Sequence, residues 1–321
     1  MLEITECSAN EDRMIKTDLV SATPEETRAR FERLVGELRP KLHRYCARMT
    51  GSVIDGEDVL QEAIVKAIEA LPRADSIGNP GGWLFRIAHN ASLDFLRNRS
   101  RIEGVRSDKD PDMIIDPATF AEHQQFTSVS LRTFMRLPVA QRSCVILMDV
   151  LDYSLQEIAN VTGITVPAVK ASLHRGRAQL RSFANDPYDG RPSILSESQR
   201  LLLAAYVDRF NARDFDAVRD MLADEVRLEL VARGRMKGRK EVVDYFGNYA
   251  RHDDWRFAPG LVDSRPALIA YDPADPFRAS TYFVLLDWAG ENVAAIRDFR
   301  YARYVIDGAE LRMLDNNGRT Q

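Results

Sequence analysis

The spacing of apolar residues changes along this chain, and that change constrains its fold more than any other feature. From Pro24 to about residue 101, and again from Val129 to Phe183, apolar side chains recur every three or four residues, which predicts helices. After Leu195 two more helical stretches are followed by alternating segments that are typical of strands. We therefore predict two all-α domains followed by an α+β domain.

Polar and turn-forming segments separate these parts. We predict a flexible leader over residues 1–23, helical domains over 24–101 and 130–184, linkers over 102–129 and 185–194, and an α+β domain over 195–316. Within the first helical domain, Gly51, Gly56, Pro72 and the glycine-rich residues 78–82 are expected to break the helices.

Composition excludes several classes of protein. The chain has 321 residues, of which 45% are hydrophobic and 29% charged, with a formal net charge of -4, as in a soluble globular protein. No apolar run approaches the roughly 20 residues of a membrane span, and the N-terminus has no secretory pattern, so we expect a cytoplasmic protein. Cys7, Cys46 and Cys144 are widely spaced and the histidines are scattered, so we expect no metal and no cofactor.

Residues 154–181, SLQEIANVTGITVPAVKASLHRGRAQLR, have the signals of two short helices joined by a turn. Ser154 and Glu157 form a capping-box pattern, Gly163 suits the helix end, and Thr165 suits the start of the second helix. A basic face on the second helix can contact phosphates while polar side chains reach base edges in the major groove. A solvated face on an ordinary helical hairpin is the alternative at this point. The expected outward residues are Thr165, Lys170, Ser172, His174, Arg175 and Arg177.

Three stretches in order resemble regions 2 and 4 of the extracytoplasmic-function sigma factors of bacterial RNA polymerase. They are GEDVLQEAIVKAIEAL (56–71), GGWLFRIAHNASLDFLRNRSR (81–101) and residues 137–181, which include the helix pair above. The resemblance implies binding to core polymerase and to promoter DNA. It implies that the polymerase contacts one helix face, which carries Asp58, Gln61 and Glu62.

The resemblance also divides the promoter between two segments. It implies that the promoter element near minus ten is melted and read by the segment carrying Trp83, Arg86, Asn90, Arg97 and Arg99, where aromatic and basic side chains alternate. Trp83 is equally compatible with a place in the core. The second helix of the 154–181 pair is implied to read the element near minus thirty-five.

The last third of the chain resembles the SnoaL-like group of the ketosteroid-isomerase fold, a curved sheet wrapped by helices into a cone with an interior pocket. The resemblance implies a regulatory domain that modulates the sigma factor, and a candidate small-molecule ligand. Candidate pocket residues are Tyr206, Trp255, Asp298, Tyr301 and Tyr304. A structural salt bridge between Asp298 and an arginine is the simpler account of that carboxylate.

We therefore predict a non-enzymatic transcription initiation factor. Two alternatives remain open. One is a ligand-responsive helix-turn-helix regulator that acts without polymerase and uses the cone as its sensor. The other is a cyclase- or isomerase-like enzyme fused to a DNA-binding module, with Asp298 as general base.

Overall fold

The computed structural model describes residues 24–73, 77–103, 129–184, 195–275, 277 and 279–314. The predicted leader, the 185–194 linker, nearly all of the 102–129 linker, and Cys7 lie outside the described residues. The chain divides into two compact units, Met1–Tyr188 and Asp189–Gln321. We call them the helical unit and the C-terminal unit.

The described part of the helical unit contains seven α-helices. They are α1 (Pro24–Thr50), α2 (Val53–Ala70), α3 (Pro80–Glu103), α4 (Leu131–Met135), α5 (Val139–Val145), α6 (Leu155–Thr162) and α7 (Val166–Ala184). Leu71–Arg73 form a 3-10 turn after α2, and Ile146–Val150 form a π-helical segment after α5.

The helix boundaries follow local chemistry. Ser52 caps α2 by accepting hydrogen bonds from two backbone N–H groups. Ser154 and Glu157 form both bonds of the capping box at the start of α6, and Gly163 ends that helix with a φ of 77°. The Thr165 hydroxyl accepts a 3.4 Å hydrogen bond from the Ala168 N–H at the start of α7. The predicted helix pair is therefore confirmed.

Gly56 differs from its predicted role. It is not a helix breaker, because it lies inside α2 and is buried. A Cβ atom at this position would meet the Cα atom of Ala47 at 2.5 Å, so the glycine allows α1 and α2 to cross in close contact. The chain turn between these helices falls instead at Gly51, which has a φ of 82°.

One apolar core runs through the helical unit and includes side chains from both predicted helical domains. Leu60 and Phe85 come from the first domain and Val145, Ile158 and Leu173 from the second, and all are buried. The Arg142 side chain on α5 ties the two segments together, since it donates a 2.7 Å hydrogen bond to the Met49 carbonyl at the end of α1.

The C-terminal unit is a seven-stranded sheet packed with three helices, counted over the described residues. The helices are α8 (Glu197–Asn211), α9 (Phe215–Asp220) and α10 (Arg239–Ala250). The strands are β1 (Leu222–Leu230), β2 (Gly234–Lys237), β3 (Arg256–Val262), β4 (Arg265–Tyr271), β5 (Ser280–Ala289), β6 (Asn292–Asp298) and β7 (Leu311–Met313). Their order is β2-β1-β6-β5-β4-β3-β7, with β1 and β6 parallel and the other neighbours antiparallel.

The alternating residues 292–307 predict one long strand, and the observed strand is shorter. Strand β6 ends at Asp298, because the Asp298 carboxylate accepts a 2.7 Å hydrogen bond from the Arg300 backbone N–H and turns the chain. Residues Arg303–Ile306 form a 3-10 helix instead. Strand β3 was not predicted, because its Pro259 and Gly260 are typical of turns. The fold class, two all-α regions followed by an α+β domain, is confirmed.

Among the described residues, none of the helices combines the length and apolarity that crossing a membrane requires.

Candidate functional sites

The predicted acidic surface lies on α2. Asp58 and Glu62 are exposed, and Gln61 is half-buried and donates a 3.0 Å hydrogen bond to the buried carboxylate of Glu57. At 100° per residue, the three side chains fall within an arc of about 100° on the helix. Lys66 forms a 2.7 Å ion pair with Glu62, which raises the pKa of the lysine. The structure therefore brings these three residues to one face.

Four of the five residues predicted on α3 share one face, and Arg99 does not. By the same helical geometry, Trp83, Arg86, Asn90 and Arg97 fall within an arc of about 60°, and Arg99 lies on roughly the opposite side. Arg99 approaches Asp55 on α2 at 3.9 Å. The Arg97 side chain is 71% exposed beside Asp94.

Trp83 and Arg86 both make contacts within the helical unit. Trp83 is half-buried and meets Phe31 edge-on, with 6.3 Å between the ring centroids, so it contributes to the core while part of it stays accessible. The guanidinium of Arg86 donates two hydrogen bonds, of 2.9 and 2.6 Å, to the backbone carbonyl of Asn160 on α6. The predicted minus-ten segment thus contacts the first helix of the predicted minus-thirty-five segment.

The outward face of α7 is smaller than the sequence predicted. Thr165, Lys170 and His174 are exposed, and Arg175 is half-buried. Arg181 was missed, although it follows Lys170 by 11 residues, which is about three helical turns and places it on the same face.

Ser172 and Arg177 lie elsewhere than predicted. The expectation that Ser172 faces outward is wrong: it is 4% exposed and faces Cys144, whose pKa burial raises to about 12. Arg177 is half-buried and forms a two-bonded ion pair of 2.9 and 2.5 Å with Asp149 in the π-helical segment. The Asp149 side chain is fully buried, so this pair fixes α7 against the π-helical segment that follows α5.

In the C-terminal unit, Asp298 occupies the end of β6 in the middle of the sheet. It pairs with Leu230 of β1 and with Val284 of β5, and it is 1% exposed. One carboxylate oxygen accepts a 2.8 Å hydrogen bond from the Tyr249 hydroxyl, and the other accepts the Arg300 N–H described above. Burial raises the pKa of Asp298, and the hydrogen bonds oppose that shift.

Asp298 is not held by an arginine salt bridge. The described residues place no arginine or lysine nitrogen within 4.0 Å of its carboxylate, and the nearby Arg300 pairs with Asp254 at 3.6 Å. The Arg300 guanidinium lies over the rings of Tyr249, at 5.1 Å, and Tyr282, at 5.8 Å. The simpler account of Asp298, a structural salt bridge, is therefore wrong.

A small cleft opens beside this carboxylate. It has a volume of about 80 Å³ and is lined by Leu230, Tyr245, Asn248, Tyr249, His252, Asp298, Arg300 and Tyr301. Of the predicted pocket residues, Asp298 and Tyr301 line it. Tyr206 and Trp255 are buried in the surrounding core, and Tyr304 lies on the 3-10 helix after β6.

Two residues that line the cleft beside Asp298 were not predicted from the sequence. Tyr245 and Tyr249 lie one turn apart on α10 and both line the cleft. Their spacing of four residues was the available signal. The described residues contain no cluster of three or more His, Cys, Asp or Glu side chains that could hold a metal ion.

Comparison with known proteins matches each of these regions. Residues 34–102 match the model of sigma-70 region 2, residues 131–180 that of sigma-70 region 4, and residues 203–267 that of the SnoaL-like domain. The helical unit and its surfaces therefore define a sigma-70-type protein. The chain belongs to the extracytoplasmic-function (ECF) RNA polymerase sigma factors, with a SnoaL-like domain following region 4.

Individual relatives extend this result. The chain is 26% identical over 304 residues to the ECF RNA polymerase sigma factor SigG of Mycobacterium tuberculosis, covering 86% of this chain and 82% of the relative. It is 30% identical over 164 residues to SigM of the same species, covering 51% of this chain and 81% of the relative. A solved structure of M. tuberculosis SigJ covers 82% of this chain and 93% of its own, with 19% identity and a TM-score of 0.33.

Proposed function

We propose that this chain directs bacterial RNA polymerase core to specific promoters and starts transcription there, with the C-terminal unit modulating that activity. The observation that carries the proposal is the order of three surfaces along the chain. They are the acidic face of α2, the aromatic and basic face of α3 that includes Arg97, and the basic face of α7 in the capped helix pair. Each surface suits a contact with one partner, either polymerase or one promoter element. Because the chain would be attached to the polymerase, contacts with DNA that are weak individually become effective together.

The roles of individual residues follow from their positions. Asp58, Gln61 and Glu62 are proposed to bind polymerase. Promoter DNA near minus ten is proposed to contact the row of Trp83, Arg86, Asn90 and Arg97. Thr165, Lys170, His174 and Arg175, joined by Arg181, are proposed to contact the element near minus thirty-five. The contacts of Arg99, Ser172 and Arg177 within the helical unit favour structural roles for these residues over contacts with DNA.

We further propose that the chain acts as a factor and not as an enzyme, and that it works in the cytoplasm with polymerase. A relative named only as a sigma factor aligns with 86% of the chain, so the alignment extends into the SnoaL-like domain. This supports a regulatory role for the C-terminal unit.

Reconstituted transcription with core polymerase tests the main proposal. Arg97→Ala and Arg99→Ala form a matched pair, since both remove an arginine from the same end of α3 and only Arg97 lies on the proposed DNA face. We expect Arg97→Ala to weaken promoter opening about three- to tenfold, the loss of one charged contact, and Arg99→Ala to keep at least half of the activity. Equal effects would remove the assignment of the DNA face.

Two further variants separate the alternatives. Asp58→Lys with Glu62→Lys should abolish association with core polymerase, because it reverses the charge of the acidic face. If promoter-specific activity persists without any binding to polymerase, the chain is a regulator that acts alone. Ending the chain at residue 185 should change the transcription rate; an unchanged rate would exclude modulation by the C-terminal unit.

A further inference from the structure

A buried carboxylate borders the acidic face of α2, which carries Asp58, Gln61 and Glu62. The Glu57 side chain is fully buried, and one of its oxygens accepts two hydrogen bonds. The first comes from the Arg39 guanidinium on α1 at 2.6 Å, and the second from the side-chain amide of Gln61 at 3.0 Å. In its ion pair with Arg39 the carboxylate is ionised, so it has no proton to donate.

The charge of Glu57 fixes the direction of the Gln61 amide. An ionised carboxylate accepts hydrogen bonds and cannot donate them, so the amide must turn its nitrogen towards Glu57. The amide oxygen is then directed away from Glu57, and it has no hydrogen-bond partner among the described residues. Because Gln61 is half-buried, this oxygen is placed to accept a hydrogen bond from a group that approaches the face from outside.

The acidic face therefore presents hydrogen-bond acceptors at all three of its positions. Asp58 and Glu62 are exposed carboxylates, and Gln61 adds a carbonyl oxygen beside them. Glu62 also pairs with Lys66 at 2.7 Å, but both side chains are exposed, and an exposed pair of this kind is weak enough to exchange partners. A surface that matches three acceptors must carry donors, which are best supplied by arginine and lysine side chains.

We propose that Glu57 is a positioning residue of the polymerase-binding face: it holds the Gln61 amide so that the amide oxygen accepts a hydrogen bond from a basic side chain of core polymerase. If residue 57 could also donate, the amide could turn its nitrogen outward, and two donors would then face each other. Glu57 itself is buried and acts only through Gln61. This inference rests on the proposed function, since it concerns how the same face recognises polymerase.

Exchanging the two side chains tests this mechanism. In Glu57→Gln, the new amide can donate or accept, so Gln61 is no longer held in one direction. In the double variant, Glu57→Gln with Gln61→Glu, residue 57 donates to a carboxylate at residue 61, which again presents an acceptor to the partner. The double variant keeps the composition and net charge of the parent, while the ion pair with Arg39 is lost in both variants.

Association is measured on the full chain. Each variant competes with an N-terminally labelled parent chain for purified core polymerase at one salt concentration, and fluorescence anisotropy reports the bound label. We expect Glu57→Gln to weaken association about three- to tenfold, the loss of one hydrogen bond, and the double variant to return to within about twofold of the parent. Gln61→Glu alone should not exceed the parent, because its carboxylate meets the like charge of Glu57.

Two controls separate orientation of the amide from stability of the fold. Glu57→Gln and the double variant should both lower the midpoint of urea denaturation, since both lose the ion pair with Arg39. A role in stability alone would therefore leave both variants equally weak in polymerase binding. Asp149→Asn is the matched control, because it also breaks a buried carboxylate–arginine pair but lies outside α2. It should keep polymerase binding within about twofold of the parent.

Four results would overturn the proposal. They are full affinity in Glu57→Gln, a double variant as weak as the single one, an equal loss in Asp149→Asn, or the same effect of Gln61→Glu in the parent and in the Glu57→Gln background. The last result would show that the two positions act independently.

A further variant keeps the proposal testable if Glu57→Gln does not fold. Gln61→Met removes the amide from a half-buried position and should weaken association by at least about threefold; parent-like affinity would contradict the proposal. If the variants at 57 and 61 match the parent while Asp58→Lys with Glu62→Lys loses binding, only this inference fails. If the parent chain itself does not bind core polymerase, the proposed function fails with it.

Discussion

The helical unit and the C-terminal unit differ in what their sequences reveal about polar side chains that bond within the protein. In the helical unit, two arginines that the sequence marked as DNA contacts, Arg86 and Arg177, form hydrogen bonds within the protein. In the C-terminal unit, two tyrosines that the sequence did not mark, Tyr245 and Tyr249, are buried beside the Asp298 carboxylate, and the Tyr249 hydroxyl donates a 2.8 Å hydrogen bond to it. Basic residues in a DNA-binding sequence can therefore be structural, while an inconspicuous tyrosine can hold a buried carboxylate.

The contact between Arg86 and Asn160 has a consequence for DNA binding. The Arg86 guanidinium cannot keep both of its hydrogen bonds to the Asn160 carbonyl and also contact promoter DNA with the same N–H groups. Arg86 can therefore contact DNA in two ways: through the N–H groups that do not bond Asn160, or after its exposed side chain has released that carbonyl. A second contact joins the same two segments, since the ring centroids of Phe85 on α3 and Tyr153 just before α6 are 5.0 Å apart.

The largest effect is expected at the buried ion pair of the helical unit. Arg177→Ala leaves the fully buried Asp149 carboxylate without its partner, which should lower the free energy of unfolding by about 3–5 kcal/mol. Urea denaturation followed by helical circular dichroism measures this loss. Arg181→Ala, an exposed arginine one turn further along α7, should change stability by less than about 0.5 kcal/mol. Similar values for the two variants would contradict a structural role for Arg177.

The second prediction concerns the close packing of the helical unit. Gly56→Ala places a methyl group against the Ala47 backbone and should lower the free energy of unfolding by about 2 kcal/mol or more. Gly36→Ala is the matched control, because Gly36 is exposed on α1 and a Cβ atom there meets nothing within 4 Å. This variant should raise stability by up to about 1 kcal/mol. Thermal denaturation measures both. No destabilisation by Gly56→Ala would show that helix propensity outweighs the crossing contact, and destabilisation by Gly36→Ala would show that the gain in helix propensity is not realised on α1.

The third prediction compares satisfied and unsatisfied hydroxyls within the C-terminal unit. Tyr249→Phe removes a hydrogen bond to the buried Asp298 carboxylate and should cost about 1–3 kcal/mol. Among the described residues the Tyr282 hydroxyl has no hydrogen bond of 3.5 Å or shorter, so the stability of Tyr282→Phe should stay within about 0.5 kcal/mol of the parent or rise. Differential scanning calorimetry of both variants checks this. Equal losses would mean that the Tyr282 hydroxyl is bonded in solution.

Features that depend on neighbouring residues could be predicted from the sequence, and features that depend on distant residues could not. The helix pair of residues 154–181 was predictable because Ser154, Glu157 and Gly163 act locally. The roles of Ser172 and Arg177 were not, since the burial of α7 depends on α5 and on Asp149, which lies 28 residues earlier. Likewise, the cleft combines α10 with the end of β6, and only the packing of α10 against the sheet brings Tyr249 beside Asp298, 49 residues away.

The last prediction uses the opposite titration of two buried groups. The pKa of His89 in the helical unit is lowered from 6.5 to about 4, chiefly by burial, and its ring nitrogen pairs with the Tyr45 hydroxyl at 2.7 Å. Since the unfolded chain binds the proton more tightly, His89 contributes stability above pH 6.5 that is lost as the pH falls towards 4. The pKa of Asp298 is raised by burial, so its contribution is present at low pH and is lost as the pH rises.

His89→Gln should therefore flatten the fall in stability of the helical unit between pH 6.5 and about 4, by at most about 1.4 kcal/mol per pH unit, the value for one proton. Urea denaturation at several pH values measures the slope, and the slope above pH 7 should match that of the parent. Asp298→Asn should gain stability relative to the parent as the pH rises from acid to neutral. If the His89→Gln variant keeps the parent slope, the pKa of His89 is not lowered in the folded protein. The imidazole is then charged at acidic pH and donates the hydrogen bond to the Tyr45 hydroxyl.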